Sequence, residues 1–180
     1  YSDHGGPLPR GKRELCDTGL HVPMLVRFPK GKMAGKVVDD MISFVDIPAT
    51  ILSLANIKPP EYMHGRPFLG KYKAEQPRQY IYGARDRMDS QYDMRRAVRD
   101  KNFKYIKNFR PDLPAYLDIK FRKQLGTMQD LLEYRDDGKL NTDQMYWFRD
   151  TKAEEELYDV QKDPYELNNL AADPRYKEEL

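Results

Sequence analysis

The chain has 180 residues, 33% of them charged, and a net charge of +2 at neutral pH, which suits one domain with a core or part of a larger one. No stretch approaches the roughly 20 apolar residues of a membrane span. The single cysteine, Cys16, excludes an internal disulfide and any multi-cysteine zinc motif. The chain opens on Tyr1-Ser2-Asp3-His4 with neither an initiator methionine nor the start of a helix or strand. It is therefore expected to begin inside a fold and to fold poorly by itself.

In chain order, the apolar run His21–Phe28 reads as a buried strand closed by Pro29 and a Lys30-Gly31-Lys32 turn. Phe44–Ile57 has helical spacing through Phe44, Ile47, Ile51, Leu52, Leu54 and Ala55. Asp46 is its expected N-cap, Pro48 falls in the first turn, and Asn56 with Pro59-Pro60 ends it. The helix is expected to pack on a sheet that contains the first strand. Lys58–Arg78 is proline-rich and reads as a connector. Strands are expected over Gln79–Ala84 and Arg95–Phe109, the second split into a hairpin at Asp100-Lys101-Asn102. A helix is expected over Phe121–Tyr134 with Leu125, Met128, Leu131 and Leu132 on one side. Another, capped by Thr142 or Asp143, would run through Arg149, with Tyr146, Trp147 and Phe148 in the core. Leu157–Val160 reads as a short edge strand, Asp163–Leu170 as turns, and Pro174–Leu180 as the start of a last helix.

Charge is partitioned along the chain. Residues 1–37 hold seven Lys/Arg against three acids, residues 78–110 ten against four, and residues 150–180 four against ten. Two basic segments and an acidic tail suggest an anion site built by the first two, or else solvated strand faces. The aromatic residues near these charges alternate as strand core does, and no nucleic-acid motif accompanies them, so no nucleic-acid partner is expected.

Ser2-Asp3-His4-Gly5-Gly6 places a carboxylate beside an imidazole ahead of two glycines that permit a turn. Both side chains can reach one cation only if the chain turns there, and a surface turn is the plainer alternative. Lys12 follows within Pro9-Arg10-Gly11-Lys12-Arg13, close enough to hold an anion beside such a cation. His21 leads into the apolar run beside these residues and could be a contact residue or a packed strand-end histidine. Arg87 and Asp89, in the run Arg85-Asp86-Arg87-Met88-Asp89, belong to a loop with both signs of charge that could line a pocket or could pair with each other. Cys16 reads as a buried thiol and His64 as a surface loop residue.

Ser2-Asp3-His4-Gly5, then Gly11-Lys12, then Gly19-Leu20-His21-Val22-Pro23 resemble the sulfatase family of the alkaline-phosphatase-like superfamily. Val45–Leu52, Gly65–Leu69 and the closing stretch from Glu156 through Leu170 resemble later family segments, so the likeness runs from end to end. Tyr92-Asp93-Met94-Arg95 and Phe121 through Leu132 look closest to heparan N-sulfatase (sulfamidase) and its bacterial relatives.

This resemblance implies an α/β chain. Residues 1–70 would be the C-terminal end of an alkaline-phosphatase-like α/β sandwich, the catalytic domain. Residues 71–180 would be a smaller C-terminal subdomain with a short antiparallel sheet and helices. Asp3 and His4 would be metal ligands, and Lys12 a catalytic and sulfate-binding residue. His21, Arg87 and Asp89 would contact substrate. The cation would be divalent, Ca2+ in most of the family, with Mn2+, Mg2+ or Zn2+ as alternatives. His4 stands where many sulfatases have Asn, and imidazole suits manganese, zinc or iron better than calcium; His4 could also hydrogen-bond the sulfate itself. The family nucleophile is a formylglycine made within Cys/Ser-x-Pro-x-Arg, a motif absent here. It is therefore expected upstream, and this chain alone is expected to be inactive.

The implied activity is hydrolysis of a sulfate ester or sulfamate on a carbohydrate or glycosaminoglycan. The rest of the catalytic domain would complete the site, in a periplasmic, secreted or lysosomal setting. Two alternatives remain at this point: a phosphodiester or phosphonate monoester hydrolase of the same superfamily, and a non-catalytic domain that binds anionic polysaccharide.

Overall fold

Between residues 81 and 108 the buried side chains fall on alternate positions, and the backbone forms three strands on that pattern. A computed structural model describes all of residues 1–180. Strands β1 (Ile81–Met88), β2 (Gln91–Arg99), β3 (Phe103–Asn108) and β4 (Glu155–Asp159) lie in the order β1-β2-β3-β4. The β1–β2 turn is the two-residue Asp89-Ser90, and Asp89 has the positive φ of 51° that such tight hairpins require. The β2–β3 hairpin turns at Asp100–Asn102 as its sequence predicts. Its register pairs Arg95 with Asn108 and Ala97 with Ile106. β4 pairs antiparallel with β3 and is the expected edge strand. Its free edge is covered by the turn-rich tail, where Leu170 N donates to Leu157 O and Leu157 N to the Asn169 carboxamide.

The chain divides into two compact units, Tyr1–Val26 with Tyr82–Leu180, and Arg27–Ile81. In the first, the covered face of the sheet carries only a small apolar cluster of Leu15, Ala97, Ile106, Tyr158 and Val160. The rest of that face is charge. Arg85, Asp93, Arg95, Lys104 and Glu156 are all buried, and such groups survive burial only when paired. Arg85 is held by Glu14 and Asp93, Lys152 lies 3.3 Å from Asp93, and Arg95 reaches Glu156. Lys104 bridges Asp17 at 2.6 Å and Glu166 at 2.8 Å. Burial alone would lower the pKa of Arg85, but Glu14 and Asp93 overcome it and raise it. Burial would raise that of Asp93, yet Arg85 and Lys152 hold it below the ordinary carboxylate range. Thus Arg85, Arg95 and Lys104 of the basic segment 78–110 neither solvate a strand face nor build an anion site, whereas Arg87 and Lys101 are exposed. The acidic tail neutralises Arg95 through Glu156 and shares Lys104 with Asp17 through Glu166, whereas Arg85 is neutralised by Glu14 and Asp93.

A second core, of Tyr116, Met128, Trp147 and Phe148, lies against the partly buried Leu125, Leu131, Leu132 and Leu140. Met128 and these leucines come from α3 (Gly126–Asp136) and its flanks, so the helix starts later than the sequence predicts but buries the expected side. A short 3-10 turn, Arg122–Gln124, occupies the expected first turn. The next helix, α4 (Thr142–Met145), is capped by Asn141 in a capping box with Gln144, one residue before the expected caps. It passes into a 3-10 turn over Tyr146–Phe148, which carries Trp147 and Phe148 into the core. The expected last helix is only a 3-10 turn, Pro174–Tyr176.

The strand expected over His21–Phe28 does not form. The segment joins no ladder, and Leu25 is 93% exposed. A buried strand needs hydrogen-bonding neighbours and covered faces, and neither comes from this segment's own apolarity.

In the second unit, α2 (Asp46–Leu54) forms where expected, but its buried side is Asp46, Ala49, Thr50 and Ser53. Asp46 is the first helical residue rather than the N-cap. Its carboxylate accepts from Ser43 N, Arg66 N and the Arg78 guanidinium. Thr50 Oγ1 accepts from Phe68 N, and Ser53 Oγ from Tyr72 N. The irregular segment after the helix needs acceptors for its backbone N–H groups, and this polar stripe supplies them. Gly65 crosses so closely that a Cβ there would stand 1.9 Å from Val45 O. Phe44, Val45, Ile51, Leu54 and Ile57 are exposed instead.

Candidate functional site

Residues 2–5 run alongside residues 19–23. Ser2 N donates to Pro23 O and Gly5 N to Gly19 O, which sets His21 level with Asp3 and His4. Gly5 is required by this approach, since a Cβ would meet Thr18 O at 2.2 Å. The chain then folds back, with Lys12 N donating to Gly6 O at 2.9 Å. Thr18 and Gly19 are held by the short helix α1 (Asp17–Leu20), and Asp17 N donates to the buried Glu166 carboxylate. Burial pushes the Glu166 pKa up against the pull of Lys104. The Asp17 pKa is lowered instead, with Lys104 and Arg99 outweighing burial. Cys16, as expected, is buried, and burial raises its pKa; its Sγ donates to Arg10 O.

Asp3 and His4 do come together: Asp3 Oδ1 and His4 Nε2 are 3.6 Å apart, and both side chains reach solvent. His4 Nδ1 lies 2.7 Å from Gly5 O. A carbonyl can only accept, so this contact places a proton on Nδ1, and in the single-proton tautomer that it selects Nε2 presents a lone pair. An imidazole Nε2 and a carboxylate that face each other as electron-pair donors suit a shared cation. A backbone carbonyl fixing the other ring nitrogen is the usual support of a ligating histidine. The chain holds no cluster of three or more His, Cys, Asp or Glu side chains placed to bind a metal. Asp3 and His4 can therefore supply at most two of the ligands.

Of the basic residues in this loop, Arg10 and Arg13 are committed. Arg10 donates to the carbonyls of Tyr165 and Glu166. Arg13 lies 3.8 Å from the Asp89 carboxylate, with its guanidinium over the Phe121 ring. The half-buried Lys12 makes no ion pair within the chain. Arg87, near the end of β1, and Asp89, in the β1–β2 turn, are exposed, and their side chains do not pair with each other. Arg87 Nε donates to Asp89 O, while the Asp89 carboxylate turns to Arg13. His21 is exposed and His64 lies in an exposed loop.

Two supports escaped the sequence reading. Glu14, two residues after Lys12, is buried and receives both Arg85 and Arg122. Together with the Arg13–Asp89 pair it ties the Lys12 loop to β1 and its turn. Neither residue has a periodicity to mark it. The only available signal was that a surplus of buried arginines requires acids from elsewhere in the chain.

Residues 10–145 match the family profile of the N-sulphoglucosamine sulphohydrolase C-terminal region. An ulvan-active sulfatase of Formosa agariphila is 53% identical over 180 residues, covering 100% of this chain and 30% of the relative. A human N-sulphoglucosamine sulphohydrolase is 31% identical, covering 99% of this chain and 38% of the relative. The chain thus spans about a third of the length of the curated relatives it matches. Among solved structures, a 2-O GAG sulfatase aligns over 74% of this chain and 21% of its own, at 22% identity and a TM-score of 0.45. No helix is long and apolar enough to cross a membrane.

Proposed function

Since the chain belongs to the N-sulphoglucosamine sulphohydrolase C-terminal family, we propose that it forms the C-terminal part of a sulfatase acting on a sulfated carbohydrate. The observation that carries this reading is the unpaired Lys12 ammonium on a loop hydrogen-bonded back to the residues after Asp3 and His4. Asp3 and His4 would hold a divalent cation, which when bound polarises the sulfate oxygens as a Lewis acid. Lys12 would bind the sulfate and offset the charge that grows on the departing oxygen. Arg87, Asp89 and His21 would accept sugar hydroxyls or donate to them, and of these Asp89 is tied to the Lys12 loop through Arg13. Glu14 and Arg13 act on the reaction only by holding that loop against β1.

The nucleophile belongs, in this proposal, to another segment of the protein, because no Cys/Ser-x-Pro-x-Arg motif lies in these residues. The exposed apolar side of α2, with Phe44, Ile51 and Leu54, supports packing of further catalytic-domain structure there. The test uses the full-length protein. Sulfate release from sulfated ulvan oligosaccharides is measured alongside bound metal, for the natural protein and for Asp3→Ala. The variant is expected to lose the metal and nearly all turnover. Full metal occupancy in Asp3→Ala would remove Asp3 from the site, and faster turnover of a phosphodiester than of any sulfate would overturn the sulfatase reading.

A further inference from the structure

The start of β2, the loop around Leu113–Asp118 and α3 enclose a groove apart from the residues assigned above. Its volume of about 450 Å³ lies within the roughly 300–1,000 Å³ of small-ligand pockets. Tyr92, Leu113, Leu132 and Phe148 give it apolar walls, and Gln91 and Asp150 line it with polar groups. Tyr92 is half exposed, and the only partner of its hydroxyl is the Met94 thioether at 3.8 Å. Lys123 is paired with Asp118 at 2.9 Å and Arg135 with Asp136 at 2.7 Å. Both cations of the groove are thereby neutralised, whereas the exposed Asp150 carboxylate has no partner and leaves a surplus negative charge.

We propose that this groove binds an unsulfated sugar unit of the glycan whose sulfated unit lies at Lys12, a proposal that rests on the sulfatase reading above. A sugar ring is apolar on its C–H face and polar at its edge. An exposed aromatic ring beside an amide and a free carboxylate matches both. The surplus charge selects against a sulfate group, which is a permanent anion. The placement fits a continuous chain of sugars. Arg13, next to Lys12, pairs with Asp89, and Gln91 at the groove follows two residues later, at most about 7 Å along the backbone.

The experiment is calorimetric titration of the full-length protein with a chemically desulfated ulvan tetrasaccharide, together with steady-state kinetics. The variants are Tyr92→Ala and Asp150→Asn, both at exposed side chains that hold no core. The tetrasaccharide is expected to bind, and each variant to weaken it about tenfold, the scale of one aromatic contact. The kcat/KM for a sulfated tetrasaccharide should fall by a similar factor, while that for para-nitrophenyl sulfate, too short to reach the groove, stays within about twofold. No binding by the natural protein, unchanged binding in both variants, or an equal loss on the aryl sulfate would each overturn the proposal. Failure to release sulfate from any substrate would sink the sulfatase reading instead, and the titration would still decide the groove.

Discussion

Replacing Glu14 by glutamine removes the charge shared by Arg85 and Arg122 and keeps the shape of the side chain. The carboxylate lies 2.5 Å from Arg85 and 3.0 Å from Arg122, and none of the three side chains is more than 4% exposed. Arg85 retains Asp93, but Arg122 has no second carboxylate. Arg122 Nη1 already lacks a hydrogen-bond partner, and its remaining neighbours include the rings of Trp147 and Tyr116. Removing one member of a buried pair costs about 3–5 kcal/mol, because the other charge stays out of water. The glutamine carbonyl can still accept one hydrogen bond, which places the expected loss near about 3 kcal/mol. Hydrogen exchange of the β2 and β3 amides in the intact protein reads this directly. The loss corresponds to roughly a hundredfold faster exchange through openings that expose the network. Glu14→Leu combined with Arg122→Leu should restore much of the protection, since an apolar pair replaces a buried ionic one at little cost. Acceleration below about threefold in Glu14→Gln would refute the claim that this network holds the Lys12 loop to the sheet.

Lys12→Ala in the full-length protein is expected to lower kcat about a hundred- to a thousandfold while KM moves much less, with Lys12→Arg restoring part of it; activity within about twofold of the natural protein would leave Lys12 a solvated loop residue. Asp17 and Asp93 have pKa values below the ordinary range when folded, so the stability they contribute is full above their unfolded value of about 3.9 and is lost as pH falls below it. Glu166, raised by burial, works in the opposite sense, since its protonation on acidification favours the folded state. Melting temperature should therefore drop steeply below about pH 4, less so in Asp93→Asn, and a flat profile from pH 6 to 3 would contradict the paired burial of these acids. Gly65→Ala forces a Cβ against Val45 O and should release the loop from α2, seen as faster exchange at Arg66 and Phe68; unchanged exchange would show that the crossing is looser than described.

The sequence alone determined those elements whose cause is local. The β2–β3 hairpin follows from alternation and a polar turn, and α3 buries Met128 because its leucines recur at helical spacing. The Asp3-His4 adjacency and the nearby Lys12 were equally legible, since they lie within ten residues of one another. What tertiary structure decided is which face meets what. Apolar spacing pointed to Phe44, Ile51 and Leu54 as the buried side of α2, but the unit's backbone N–H groups needed acceptors and turned Asp46, Thr50 and Ser53 inward. Apolarity alone likewise could not make His21–Phe28 a strand, because a ladder depends on neighbours. The fate of the basic segment 78–110 depended on carboxylates up to 87 residues away in sequence, as with Asp17 and Lys104. No local pattern distinguishes an arginine that solvates a strand from one buried against a distant carboxylate. Only the fold brings the compensating charge within reach, and a buried ion is tolerated only where that has happened.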